Sequence, residues 1–233
     1  MVTRGLARLG GVALDLLYPP RCALCEKHGS FICDACLDSL PRAEGRRCDA
    51  CWLPLRGPAC AACAEHPTAL TRLRSVYRYE DGVRSLVHAF KFRGQSSLGK
   101  PLAAELARCY ADHGLAADVI VPVPLAVARK RGRGYNQASL LAREVSRQTG
   151  APAAEALRRW GNATPQAQSA TAEERRLNVV GAFEVARPGD VAGRRVLLID
   201  DVATTGATLN ACAVELLNAG AAEVIGLTLA RED

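Results

Sequence analysis

Several things are scarce or missing in this chain of 233 residues. No window holds the ~20 uninterrupted apolar residues of a membrane-spanning helix, so insertion into a bilayer is not expected. Aromatic residues make up only 5% of the chain. Proteins that grip single strands stack bases on aromatic rings. With so few rings, any nucleic-acid contact depends mainly on phosphates and weakens with added salt. The first twenty residues carry Arg4 and Arg8 ahead of a mildly apolar run. Asp15 and the pair Gly10 and Gly11 interrupt that run, and no small-x-small cleavage site precedes Cys22. The segment reads as a short amphipathic helix rather than a secretory leader, and a cytoplasmic location is expected.

Cysteine, by contrast, is abundant. Of ten cysteines, eight form four Cys-x-x-Cys pairs: Cys22/Cys25, Cys33/Cys36, Cys48/Cys51 and Cys60/Cys63. A Cys-x-x-Cys turn aims two sulfurs at one metal, and two such turns close a tetrahedral site. Disulfides fit a cytosolic chain poorly, and a redox role suits one such pair better than four in succession. Two structural zinc ions are expected. Sequential pairing (Cys22, Cys25, Cys33, Cys36, then Cys48, Cys51, Cys60, Cys63) is favoured over an interleaved one, which spacing leaves open. The segment owns few large apolar residues, mainly Phe31, Leu37, Leu40, Trp52, Leu53 and Leu55, so its fold is expected to depend on metal. Zinc also changes the electrostatics: the formal charge of +6 falls to about +2 once eight thiolates bind two ions. Cys109 and Cys212 stand apart and read as buried core thiols.

After His66 and Pro67 the pattern changes to alternating strands and helices, which sets a domain boundary at 67/68. Strands are predicted at residues 74–79, 118–121, 182–185, 196–199 and 224–229. Helices are predicted at 83–90, through Leu98, Leu102, Leu106 and Cys109, at 135–148 with Gly150 beyond its end, and through Leu209, Cys212, Ala213 and Leu216 with Gly220 as its cap. Residues 161–178 lack apolar periodicity and read as a long functional loop. The alternation predicts an α/β fold: a mostly parallel sheet with flanking helices, preceded by a small zinc-ribbon domain.

The stretch VLLIDDVATTGAT, residues 196–208, is the most informative. Four apolar residues form a buried strand, so Asp200 and Asp201 are expected at its carboxyl end, where parallel sheets hold ligands. Residues 203–207 are expected to form a small loop, with a helix starting near Thr208. Small side chains let backbone N–H groups approach an anion at an electropositive helix start. Hydroxyls of Thr204, Thr205 and Thr208 can donate as well. A phosphate cradle beside two carboxylates suits a phosphorylated sugar, with phosphate in the loop and vicinal hydroxyls on the acids.

That stretch resembles the 5-phosphoribosyl-1-diphosphate (PRPP) signature of type I phosphoribosyltransferases. The resemblance implies that Asp200 and Asp201 bind ribose, that Ala203, Thr204, Thr205, Gly206, Ala207 and Thr208 bind the 5-phosphate, and that magnesium accompanies the diphosphate. It narrows with residues 121–125 (VPVPL), 131–138 (RGRGYNQA), Thr164-Pro165-Gln166, residues 88–94 (HAFKFRG), residues 18–22 (YPPRC) and the cysteine-rich front. Together these are similar to the ComF family, competence-associated phosphoribosyltransferase-like proteins of bacteria. The resemblance implies a part in natural transformation, handling imported single-stranded DNA alongside the competence machinery.

Lys91, Arg93, Arg129, Arg131, Arg133 and Arg175 are the candidates for the diphosphate or a nucleic-acid backbone, with Arg176 beside the last. The resemblance implies that the loop bearing Arg175 and Arg176 closes as a hood and excludes water from an oxocarbenium-like transition state. Where purine-type relatives carry an acid, the third residue after the acid pair, this chain has Thr204, which disfavours purine salvage. No N-terminal cysteine nucleophile follows Met1, which disfavours a glutaminase. Three readings result: a PRPP-dependent transferase with an unassigned acceptor, a PRPP- or nucleotide-binding regulator without turnover, and a nucleic-acid-binding protein in which Tyr135, Trp52 and Trp160 are the stacking candidates.

Overall fold

The computed structural model describes residues 19–92, 94–126, 132, 134–160, 179 and 181–233. The helix expected near the N-terminus and the long polar stretch 161–178 fall outside them. Chain contacts divide the molecule into two compact units, Met1–Leu40 and Pro41–Asp233.

In the first unit, Cys22–Cys25 forms a tight turn in which Glu26 takes a left-handed φ of 62°. Its N–H donates to Cys22 O at 2.9 Å, and Cys22 N–H donates to Lys27 O at 2.8 Å. Helix α1, Asp34–Asp38, follows Cys33. Among the described residues of this unit the buried apolar side chains are Cys22, Ile32 and Leu40.

The second unit repeats that turn. Trp52, after Cys51, has φ 59°. Its N–H donates to Cys48 O at 2.8 Å, and Cys48 N–H donates to Leu53 O at 2.9 Å. A left-handed φ on a residue as bulky as Trp is uncommon. Finding it twice, one position after a Cys-x-x-Cys, marks one turn used twice. Helix α2, Ala61–Glu65, follows Cys60. Trp52 is buried; its indole N–H donates to Ser75 O at 3.1 Å, and the Arg74 guanidinium lies 4.4 Å from its ring centre.

The further α-helices and β-strands among the described residues are β1 Arg72–Arg78, α3 Asp81–Phe92, α4 Gly99–Asp112, β2 Val119–Pro122, α5 Gln137–Thr149, β3 Leu157–Arg159, β4 Phe183–Val185, β5 Arg195–Ala203, α6 Ala207–Asn218 and β6 Glu223–Arg231. Strands β1, β6, β5 and β2, in that order, form one parallel sheet, while β3 and β4 pair antiparallel apart from it. Val196, Leu197, Leu198 and Ile199 are all buried, as expected of a parallel strand covered on both faces. Alternation sends Val196 and Leu198 to a core shared with Leu209, Cys212, Ala213 and Leu216 of α6 and with Trp52, Leu70 and Leu73. The helices α4 and α5 pack on each other and against the strands. Cys109 and Cys212 are buried in the helical core positions expected for them.

Beyond shifts of one or two residues at element ends, the structure departs from the sequence reading at two places. Strand β5 does not stop at Ile199 but runs four residues further, because β6 continues opposite it to Arg231 and pairs Asp200 with Thr228 and Ala203 with Arg231. Asp200 and Asp201 are therefore strand residues, and the loop shrinks to Thr204, Thr205 and Gly206. The strand β3 was not anticipated; three residues carry too short a pattern to read.

Candidate functional site

Because β5 extends through the acid pair, strand alternation sends the two side chains to opposite faces. Asp201 shares the parity of Leu197 and Ile199 and is only 7% exposed. Lys91, in the last turn of α3, places Nζ 2.7 Å from Asp201 Oδ1. Burial works against the charged ammonium, but the Asp201 carboxylate outweighs it and holds Lys91 above its ordinary pKa. Asp200 accepts the N–H of Asp201 at 2.8 Å on Oδ1. Burial, then the neighbouring Asp201 charge, push the Asp200 carboxyl up to about 7, against the opposing charges of Lys91 and Arg159. Groups perturbed in this way by burial and a specific neighbouring charge cluster at functional sites.

Beyond Ala203 the chain turns through Thr204 and Thr205 to Gly206, whose φ of 77° lies in the left-handed region. Only glycine takes that conformation without strain, and it hands the chain to α6 within one residue. The loop therefore lies at the carboxyl end of a central parallel strand and at the N-terminus of a twelve-residue helix, where N–H groups and the helix dipole favour an anion. Thr208 falls inside α6, Ala203 is the buried last residue of β5, and Ala207 opens the helix.

The motif at 134–138 has a structural use that the sequence did not disclose. Asn136 caps α5, accepting the Ala138 N–H at 3.1 Å, while its Nδ2 donates to Val123 O at 3.0 Å. The Tyr135 hydroxyl donates to Phe90 O, and Gln137 Nε2 reaches the same carbonyl at 3.5 Å. These bonds tie the end of β2 to the turn of α3 that bears Lys91. Sequence alone could not find this, because the partners lie 13 to 47 positions apart.

On the other side of the loop is a cavity of about 600 Å³. It is walled by Thr204–Ala207, by Asn210 and Val214 of α6, and by Cys51, Cys63 and Leu53 of the second cysteine turn. Asp200, Asp201 and Lys91 do not line it.

The cysteines group as Cys22, Cys25, Cys33, Cys36 and as Cys48, Cys51, Cys60, Cys63, each set with sulfurs within 4.8 Å of one another. The pairing is thus sequential. Sγ separations are 3.6 Å for Cys25–Cys33, 3.5 Å for Cys51–Cys60 and 3.7 Å for Cys48–Cys63. Four thiolates ~2.3 Å from a tetrahedral ion stand ~3.8 Å apart, so both sets fit structural zinc.

Of the basic candidates, Arg93, Arg129, Arg131, Arg133 and Arg175, with Arg176, lie outside the described residues. Of the stacking candidates, Trp52 is removed by its burial and Tyr135 is engaged with Phe90, whereas Trp160 is 60% exposed. No helix among the described residues is long and apolar enough to cross a membrane.

The phosphoribosyl transferase domain family matches residues 97–232, and the double zinc ribbon domain family matches residues 13–64. Fold and motifs thus define a phosphoribosyltransferase-type domain preceded by a double zinc ribbon. Competence protein ComFC of Bacillus subtilis (strain 168) is 33% identical over 212 residues, spanning 86% of this chain and 84% of that protein. DNA utilization protein YhgH of Salmonella typhimurium (strain LT2) is 33% identical over 231 residues, with 90% and 96% covered. Competence protein F of Haemophilus influenzae (strain Rd) is 30% identical over 223 residues, with 87% and 97% covered. The chain belongs to the ComF family of phosphoribosyltransferase-domain proteins.

Proposed function

We propose that the protein binds PRPP, or a ribose 5-phosphate ligand, at the junction of β5 and α6. The 5-phosphate lies against Thr204, Thr205, Gly206, Ala207 and Thr208, with Ala203 at the loop's entry, and the ribose hydroxyls meet Asp200 and Asp201. Magnesium accompanies the diphosphate and neutralises its charge; carboxylate oxygens are the donors such an ion prefers. Residues 68–233 form the ligand-binding domain and residues 1–67 the zinc-bearing front. Lys91 steadies Asp201 and, with Arg93, Arg129, Arg131, Arg133 and Arg175, is available to the diphosphate or to a nucleic-acid backbone.

The observation that carries this reading is the glycine-hinged turn from a central parallel strand into a helix start, with two adjacent carboxylates near the end of that strand. Relatives named for competence and DNA utilization support a role connected with DNA; the role proposed is the handling of imported single-stranded DNA in the cytoplasm. The exposed Trp160 favours a direct contact with such a strand as a second reading. Transfer to an acceptor is proposed as the activity, the acceptor being unassigned.

The test is thermal unfolding of the full chain with magnesium and PRPP, ribose 5-phosphate or inorganic phosphate. A ligand at a hundred times its Kd stabilises the folded state by about 2.7 kcal/mol, so the expected result is a rise in Tm, greatest with PRPP. Absence of any rise with all three would remove the reading. Pyrophosphate release against a panel of bases, amines and single-stranded DNA then separates transfer from binding alone.

A further inference from the structure

The last residue of β6, Arg231, is a charged side chain only 2% exposed. Its Nε donates to Cys51 O at 2.9 Å, a carbonyl of the second cysteine turn. Its Nη1 donates to Ala203 O at 3.0 Å, to Thr204 O and to Glu232 O at 2.7 Å. One guanidinium therefore holds a backbone carbonyl of a metal-ligand residue and the two carbonyls that open the phosphate loop. A second cation fastens the same strand end: Arg47 Nη1 donates to Trp52 O at 2.8 Å and to Asp233 Oδ1 at 2.7 Å, and its Nη2 donates to Asp233 Oδ2 at 2.8 Å.

The consequence follows from peptide geometry. In a trans peptide the carbonyl of one residue and the N–H of the next point in opposite directions, and no peptide among the described residues is cis. Carbonyls of Ala203 and Thr204 drawn toward Arg231 turn the N–H groups of Thr204 and Thr205 away from it. Those are loop donors, and their orientation is set before any anion arrives. Preset donors spare a ligand the reorganisation that weakens binding.

We propose that Arg231 is a positioning residue through which metal occupancy at Cys48, Cys51, Cys60 and Cys63 sets the order of the loop Thr204–Ala207. The inference deepens the proposed ligand site and rests on that reading for its functional meaning. The physical coupling stands on the bonds alone. Metal closes the turn that presents Cys51 O, Cys51 O holds Arg231, and Arg231 holds the loop peptides. Loss of the second metal frees the loop, while loss of the first leaves it ordered.

Hydrogen exchange read by mass spectrometry on the full chain tests this without PRPP. Stripping wild type with a zinc chelator is expected to raise exchange over residues 203–208 about tenfold, with residues 196–199 still protected. Cys25→Ser, which loses only the first metal, is expected to leave residues 203–208 unchanged. Arg231→Met is expected to reproduce the stripped loop with both metals bound, and stripping is expected to add nothing further. Arg231→Lys, which keeps the charge but has fewer donors, is expected to fall between. Should Arg231→Met not fold, stripped wild type and Arg231→Lys carry the same comparison. Unchanged loop exchange on stripping, a further rise on stripping Arg231→Met, or loss of protection across the whole sheet in every case would overturn the proposal. Failure of PRPP to bind a chain that shows the expected exchange would instead remove the ligand reading and keep the coupling.

Discussion

Lys91 Nζ stands 2.7 Å from Asp201 Oδ1, joining the last turn of α3 to the end of β5. The lysine side chain is 22% exposed and that of the aspartate 9%, so a buried charge depends on a partner that solvent still reaches. Removing one member of a buried pair leaves an uncompensated charge. Lys91→Met is expected to lower stability by about 2–4 kcal/mol, toward the low end because the pair is partly solvated. Adding Asp201→Asn to it should recover more than half of that. Urea unfolding of the two variants checks both; equal midpoints for Lys91→Met and wild type would dismiss the pair as a stabilising element.

Asp200 gives a pH-dependent test. Its folded-state carboxyl is pushed from 3.8 to about 7 by burial and by Asp201. An unfolded chain releases this proton near the lower value and the folded chain near the higher, so the folded state binds more protons between them. Ligand-free stability therefore declines as pH rises through that window. Asp200→Asn removes the effect. It should be more stable than wild type by about 1–3 kcal/mol above pH ~7 and indistinguishable below pH ~4. Chemical denaturation across pH reads the difference, and a difference that does not vary with pH would contradict the assignment.

Gly206 is the hinge of the loop. At φ 77° an added Cβ strains the backbone even though nothing lies within 4 Å of where it would sit. Gly206→Ala is expected to cost about 1 kcal/mol of stability and to weaken binding of a phosphorylated sugar about tenfold by disturbing the helix-start amides. Unfolding and ligand titration on the same variant report the two effects separately.

The two metal sites should differ in what they support. Metal analysis is expected to return about two zinc ions per chain, falling to one in Cys25→Ser and in Cys60→Ser. Residues 19–40 bury only Cys22, Ile32 and Leu40, too little apolar surface to fold without metal. Cys25→Ser should therefore expose residues 19–40 to protease while the sheet stays resistant. Protection of that segment after loss of the first metal would show that metal does not organise it.

Much of this architecture was legible in local patterns. The four buried residues before Asp200, the left-handed Gly150 and the eight spaced cysteines each act within a few positions of themselves. Their chemistry is written in sequence. What could not be read depends on partners brought together by the sheet. Asp200 and Asp201 looked like rim residues because the length of β5 is decided by β6, not by its own composition. Lys91 looked like one basic residue among several, and its pairing with Asp201 spans 110 positions. Trp52 looked available for stacking because its burial against Arg74 and Ser75 follows only once the second cysteine turn packs on β1. Arg231 gave no signal at all, since an arginine closing an apolar strand reads as a surface charge.

The central claim is that a phosphorylated ribose is held where β5 passes into α6. Isothermal titration of the zinc-loaded chain with PRPP and magnesium tests it most directly, wild type against Asp200→Ala/Asp201→Ala, with the zinc content of both verified. Saturable binding by wild type and none by the double variant is the predicted result. Undiminished binding by a folded double variant, or none by wild type, would contradict it.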